Sequence, residues 1–341
     1  MARIGIAFVG TGFIAGYHLD ALATIPDADI RVVVGRDAAK AAAFAAQRGI
    51  PAGTSDLDAV LARGDIGAIV VASPDDTHEA ICLKAIAAGK SILVQKPMAP
   101  DAAACRRMIA AAQAARVDLQ VSFMHRYFEE FAAARDLIAA GEIGTPTSAR
   151  MRNATPGPDW GDWFFKKSRV GGGVVLQLGV HGIDLLTQLF GPVASLSATT
   201  AILRPERRLA DGRVVTVENP DSAWATYRFV DGVAASHDMS MIEAAGTDRF
   251  GMEIYGTEGT IQLRGVAGAL RLRRKGATAW ETPALPAPPL GQRHHQRWLD
   301  GMSGAKPKET TARDALAGLL IAEAIERSAA QGGTATQVEQ P

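Results

Sequence analysis

Short apolar runs alternate with Ala-rich helical stretches through the first third of the chain. Runs at 4–9, 30–34, 68–72, 91–94 and 119–123 have the length and apolar density of strands. Helical periods lie between them, at 18–24, 38–48, 57–63, 78–88 and 100–116. Strand–helix alternation at this spacing predicts right-handed crossovers and a doubly wound parallel sheet. Near-continuous apolar strands such as Ala68-Ile69-Val70-Val71-Ala72 predict a sheet covered on both faces.

Beyond Phe123 the pattern changes. A helix is predicted over 129–140, ending at Gly141, and a strand over 147–153. Gly171-Gly172-Gly173 introduces a helix over 174–190. After Gly191-Pro192 the chain turns β-rich, with strands predicted at 193–203, 214–217, 222–230, 233–241, 249–255, 259–264 and 269–274. Tight turns such as Asp231-Gly232 and Thr257-Glu258-Gly259 join several of them, which predicts a mostly antiparallel sheet. The Pro-rich segment 282–290 reads as an extended crossover, followed by helices at 292–301 and 311–330. The division expected is 1–122, a doubly wound α/β domain, and 123–330, a second α/β domain with a mostly antiparallel sheet. The helix at 311–330 is a candidate to pack back on the first domain, and 331–341 is expected to be a frayed tail.

Composition narrows the classes. A chain of 341 residues, 48% of them hydrophobic, has material for two cores. Formal net charge is zero, so no overall field points to nucleic acid or an anionic membrane. The local basic run at Arg271, Arg273, Arg274 and Lys275 reads as a solvated strand edge. Cys82 and Cys105 are the only cysteines; their spacing gives neither a metal site nor a disulfide framework. No apolar run reaches the roughly 18 residues that would span a bilayer. No cleavable leader is evident at the N-terminus, so a cytoplasmic location is expected.

The chemistry starts where the first strand ends. Gly10-Thr11-Gly12-Phe13-Ile14-Ala15 has the form G-x-G-x-x-A, directly after a strand and opening a helix. Gly10 permits the tight turn, Gly12 lets a pyrophosphate approach the backbone, and Ala15 lets the helix pack on the strand. The helix start then turns N–H groups toward the phosphates. The second strand ends Val34-Gly35-Arg36-Asp37. A carboxylate is missing at the strand tip, and a guanidinium follows, which favours NADP over NAD. Asp37 is a candidate helix cap and a candidate ribose ligand, so both nucleotides stay in play.

Further motifs carry a resemblance. Ser73-Pro74-Asp75-Asp76-Thr77-His78, Val94-Gln95-Lys96-Pro97-Met98-Ala99 and Phe123-Met124-His125-Arg126-Tyr127 are three of them. The stretch from Gly171-Gly172-Gly173 to Gln177, His181 and Asp184 and the last helix from Asp314-Ala315-Leu316 to Ser328 are two more. Together they make the chain similar, over nearly its whole length, to the Gfo/Idh/MocA oxidoreductases, which include glucose–fructose oxidoreductase and inositol dehydrogenases. The resemblance implies a Rossmann dinucleotide-binding domain over 1–122, and over 123–330 an α/β domain with a large open sheet for substrate and self-association; it implies hydride transfer between NAD or NADP and a sugar, polyol or related hydroxy or carbonyl compound, in a homodimer or homotetramer. It implies cofactor contacts at Gly10, Thr11, Gly12, Phe13, Ile14, Arg36, Ser73, Pro74, His78, Gln95 and Lys96. Lys96 and His181 are the implied catalytic pair, able to take the alcohol proton or polarise a carbonyl. Gln177, Asp184, Arg126, His125 and Trp163 are the candidate substrate contacts, and no metal is expected. Gln177, His181 and Asp184 fall at i, i+4 and i+7, which places them on one face of an α-helix.

Two departures bear on mechanism. The family often has Glu-Lys-Pro where this chain has Gln95-Lys96-Pro97, and usually an Asp where it has Gln177. Glutamine carries no charge and relays no proton. Two other readings therefore stand beside the first. One is nucleotide-assisted glycoside cleavage or elimination; the other is a non-catalytic nucleotide-binding sensor.

Overall fold

The first apolar run forms β1 (Ile4–Val9), in which Ile6, Ala7 and Phe8 are fully buried. In a computed structural model of the chain, residues 3–245, 250–265, 268–305, 308 and 311–341 are described. They form two compact units, Met1–Met124 with Pro288–Leu316, and His125–Ala287 with Ala317–Pro341.

In the first unit β1 is joined by β2 (Ala28–Val34), β3 (Gly53–Thr54), β4 (Ala68–Val71), β5 (Ser91–Gln95) and β6 (Leu119–Ser122). All pairs are parallel, in the order β3-β2-β1-β4-β5-β6. The order reverses beside β1, so the crevice for a ligand opens at the carboxyl ends of β1 and β4. The helices are α1 (Phe13–Leu22), α2 (Ala38–Gln47), α3 (Leu57–Leu61), α4 (His78–Ala87) and α5 (Ala102–Ala115). Aspartates start three of them: Asp37, Asp56 and Asp101 accept from the backbone N–H of Lys40, Ala59 and Ala104. The helix α8 (Gln292–Met302) belongs to this unit, where Trp298 and Leu299 join the core of Ile6, Phe8, Val33, Val70 and Leu93.

The second unit holds α6 (Glu129–Ala139), β7 (Pro146–Ala154), α7 (Val180–Phe190) and β8 (Val193–Ala201). A hairpin of β9 (Glu206–Arg208) and β10 (Val214–Thr216) follows. Then come β11 (Ser222–Phe229), β12 (Ala234–Ser240), β13 (Phe250–Gly256), β14 (Gly259–Gly265) and β15 (Gly268–Arg274). The chain closes with α9 (Ala312–Ala330), which the unit boundary divides, and β16 (Thr336–Gln337). The eight-stranded sheet runs β15-β14-β13-β7-β12-β11-β8-β16. It is antiparallel except at β12–β7. Along β11 and β12 buried and exposed residues alternate, so one face packs inward and the other meets solvent.

Both sheets follow the pattern expected from the sequence, with local differences. The helix after the glycine turn starts at Phe13, earlier than position 18. The strand expected from Arg249 starts at Phe250; Arg249 itself lies outside the described residues. The tail is not frayed: Thr336 and Gln337 pair with Leu196 and Ser195, and Val338 N–H donates to Ala194. Two residues of β-pairing are too short for periodicity to announce. The helix expected over 174–190 opens with a π-helical turn, Val175–Gly179, before α7 begins. Gln177 lies in that wider turn, so the α-helical offset that put it on one face with His181 does not apply there.

Candidate active site

In the first unit the glycine turn is built as its spacing requires. Gly10 has φ +116°, and a Cβ there would stand 2.4 Å from the Ala72 carbonyl oxygen. The turn after β1 is thus pressed against the loop after β4. Gly12 is the opposite case: a Cβ built on it meets nothing within 4 Å. It caps α1 with no side chain bonding the first turn, and that turn holds no acidic residue. An open approach to the positive end of a helix suits a pyrophosphate, so the residues present fit a dinucleotide.

Beside the turn lies a cavity of about 260 Å³ lined by Thr11, Gly35, Arg36, Asp37 and Lys40. Arg36 and Lys40 are exposed to it, while the Asp37 carboxylate takes the Lys40 N–H as the cap of α2. At the end of β4, Ser73 donates to Thr77 Oγ1 and Thr77 to the Pro74 carbonyl. His78 is fully buried, with Nδ1 3.0 Å from the Pro97 carbonyl and Nε2 2.9 Å from the Ser73 carbonyl. It ties the loop after β4 to the loop after β5. Its neutral ring has one N–H and serves one carbonyl at a time; the doubly protonated ring serves both.

Lys96 follows β5, and the Lys96–Pro97 peptide is cis. Its backbone N–H donates to Gln95 Oε1 over 2.8 Å. Gln95 is buried, and its amide nitrogen stands 2.9 Å from His18 Nε2. His18 in turn meets His295 of α8.

In the second unit four of the residues singled out in the sequence come together. His125 and His181 stack, ring centroids 3.9 Å apart and planes at 18°. Arg126 holds Asp184 in a two-pronged pair, Nε to Oδ2 at 2.8 Å and Nη2 to Oδ1 at 2.5 Å, with both side chains buried. All four therefore anchor the start of α7 to the turn at Met124–Tyr127. Trp163 stacks on Phe164 at 3.6 Å, in the turn Asp162–Phe165. That turn packs with Leu209 and Val217 in a small satellite core.

Beneath α7 lies a group that the sequence did not announce. His237 Nε2 donates to Asn153 Oδ1 at 2.8 Å, and Tyr227 donates to His237 Nδ1 at 3.0 Å. Burial pushes the His237 pKa down to about 3, so the ring is neutral. Gly182, next to His181, is what lets α7 lie on this trio, since a Cβ there would be 2.2 Å from Asn153 Oδ1. No sequence signal marks this group; in the structure all seven histidines are buried, unusual for a polar side chain. Among the described residues no group of three or more His, Cys, Asp or Glu is placed to hold a metal.

Comparison with known proteins identifies the family. Residues 4–123 match the profile described as the oxidoreductase family, NAD-binding Rossmann fold, and residues 131–262 match the GFO/IDH/MocA C-terminal domain. The chain is 29% identical over 317 residues to a 1,5-anhydro-D-fructose reductase from Ensifer adhaerens, covering 87% of this chain and 88% of that protein. It is 27% identical over 339 residues to inositol 2-dehydrogenase 2 from Saccharopolyspora erythraea, covering 97% and 95%. The solved structure of GenD2 from gentamicin A biosynthesis, in complex with NAD, superposes with a TM-score of 0.82. It is 31% identical and covers 99% of this chain and 97% of its own. Two family profiles thus span most of the chain, and the relatives they agree with are dehydrogenases and reductases: the chain is an oxidoreductase enzyme and belongs to the Gfo/Idh/MocA family.

Proposed function

We propose that the chain oxidises or reduces a sugar, polyol or related compound at a single carbinol or carbonyl carbon, with Lys96 and His181 as its catalytic residues. The observation that carries this reading is Lys96, fixed by its own backbone at the carboxyl end of β5. That end of the parallel sheet also carries the Gly10–Gly12 turn and Ser73-Pro74. The nicotinamide ring supplies the acceptor or donor of the hydride when the dinucleotide is bound.

The protein's share is the proton and the charge. An alcohol that gives up a hydride must lose its hydroxyl proton, and Lys96 and His181 are the groups proposed to take it and to steady the developing oxyanion. His125 supports His181 by stacking. Arg126 and Asp184, spent largely on each other, support fixed placement of the α7 residues. Gln177 and Trp163 complete the proposed substrate contacts. The backbone of Gly10, Thr11, Gly12, Phe13 and Ile14 is proposed to hold the pyrophosphate, with Ser73, Pro74, His78, Gln95 and Lys96 on the nicotinamide side.

NADP is the proposed preference. Arg36 and Lys40 line the cavity by the strand tip, and its one carboxylate, Asp37, is engaged on a helix cap. The named complex of GenD2 holds NAD, so the preference rests on this chain's own residues. Self-association through the solvent-facing side of the large sheet, where Trp224 is 43% exposed, is also proposed. Cytoplasmic residence fits two buried free thiols, Cys82 and Cys105.

The test is a screen in which NAD+ and NADP+ are offered separately with inositol, levoglucosan and a panel of free sugars, read by reduced nicotinamide. Turnover of at least one, faster with NADP+, is expected. Tight nucleotide binding with no turnover throughout the panel, run in both directions, would overturn the reading.

A further inference from the structure

Lys96 is held by a chain of hydrogen bonds that runs inward from the site. Its N–H donates to Gln95 Oε1 at 2.8 Å. That contact leaves the NH2 of Gln95 as the end facing His18 Nε2, at 2.9 Å. His18 Nε2 must then accept, so the ring carries its proton on Nδ1. Nδ1 lies 2.8 Å from His295 Nε2, which must accept in turn. His295 is left with its proton on Nδ1, which lies 2.8 Å from the Gly291 carbonyl.

One end of this chain can only donate, and the other can only accept. With neutral rings a single arrangement of protons satisfies every link. An added proton on either ring would set N–H against N–H. A carboxylate at 95 would demand a donor at His18 Nε2 and so reverse the chain against the Gly291 carbonyl. Glutamine at this position therefore matches its neighbours, where the family often has glutamate.

Three separate elements meet in the relay. His18 lies on the buried face of α1, Gln95 ends β5, and His295 is on α8. Gly291 itself has φ +81°, and a Cβ on it would stand 2.8 Å from the Tyr17 ring. Only glycine brings the start of α8 close enough to α1 to offer its carbonyl there. Both rings are buried, and burial pushes His295 down to about 4 and His18 well below its ordinary value, which keeps them neutral.

We propose that His18 and His295 are positioning residues for Lys96, locking the Gln95 amide so that it clamps the Lys96 backbone. This rests on the reading of Lys96 as catalytic, but its test does not need turnover. In the full-length chain labelled with 15N-histidine, long-range proton–nitrogen correlation near neutral pH should report both His18 and His295 as neutral rings protonated on Nδ1. Amide exchange at Lys96 should be about tenfold or more faster in His18→Leu, which strands the Gln95 amide. His18→Gln keeps an acceptor for that amide, and exchange at Lys96 should stay within about threefold of the unaltered chain. A His18 ring protonated on Nε2 or doubly protonated would overturn the proposal, and this measurement stands even where His18→Leu fails to fold. Equal exchange at Lys96 in the unaltered chain and His18→Leu would also overturn it, as would His18→Gln exchanging as fast as His18→Leu. Turnover of Lys96→Ala reports separately on whether Lys96 is catalytic.

Discussion

Replacing Asp184 by Ala is the sharpest test of how α7 is held. The side chains of Arg126 and Asp184 are 3% and 2% exposed, and two charge-assisted hydrogen bonds join them. Asp184→Ala strips the buried guanidinium of its carboxylate. Breaking one side of a buried ion pair costs about 3–5 kcal/mol, because the remaining charge stays desolvated. The whole margin of a domain is about 5–15 kcal/mol, so the loss is large. It should lower the melting temperature of the second unit by about 10 °C. Asp184→Asn, which keeps shape and an acceptor oxygen, should fall between. The double variant Arg126→Met with Asp184→Leu removes both charges and should return to within about 2 kcal/mol of the unaltered chain, since a packed apolar pair costs no charge desolvation. Urea unfolding followed by circular dichroism measures all four proteins, with the slope checked for constancy. An Asp184→Ala midpoint equal to that of the unaltered chain, or a double variant no better than Asp184→Ala, would refute the reasoning.

The two glycines of the first turn should separate fold from ligand. Gly12→Ala meets open space and should leave the melting temperature within about 2 °C while weakening nucleotide binding about tenfold or more by calorimetry. Gly10→Ala, at positive φ and against the Ala72 carbonyl, should instead cost about 2–4 kcal/mol of stability. Arg36→Ala with Lys40→Ala should weaken NADP+ about tenfold or more and leave NAD+ within about twofold, since only the extra phosphate is lost. Acid should unfold the chain early. His18, His237, His294 and His295 are held neutral by burial, so the unfolded chain binds more protons than the folded one below pH about 6.5. Stability is fully present above that pH. It should fall by about 1.4 kcal/mol per pH unit for each ring as pH drops toward 4, read as urea midpoints at fixed salt.

Much of the fold was legible because the first unit's strands are continuous apolar runs separated by Ala-rich helical periods. Asp37 precedes an Ala-rich period and caps it as expected, and Asp101 caps another. The pairing of Thr336 and Gln337 was not legible, because two residues have no period and the partner strand lies far away in sequence. The membership of α8 in the first unit was hidden for the same reason: Trp298 shows only that something buries it, not what. The π-helical turn hid behind an ordinary helical pattern, and with it the true setting of Gln177. For the site, Gly10, Gly12, Lys96 and His181 stood out by motif. The chain from Gln95 through His18 to His295 did not, since its members are 77 and 277 positions apart. Such a relay is set by packing, and sequence spacing carries no trace of it.

The central claim is that Lys96 performs chemistry on a substrate that the nucleotide oxidises or reduces. Turnover and nucleotide affinity of Lys96→Ala, measured side by side with the unaltered chain on any compound that the screen identifies, test it most directly. Loss of turnover by about a hundredfold or more, with the nucleotide dissociation constant within about threefold, is the predicted result. Turnover unchanged in Lys96→Ala would contradict the account.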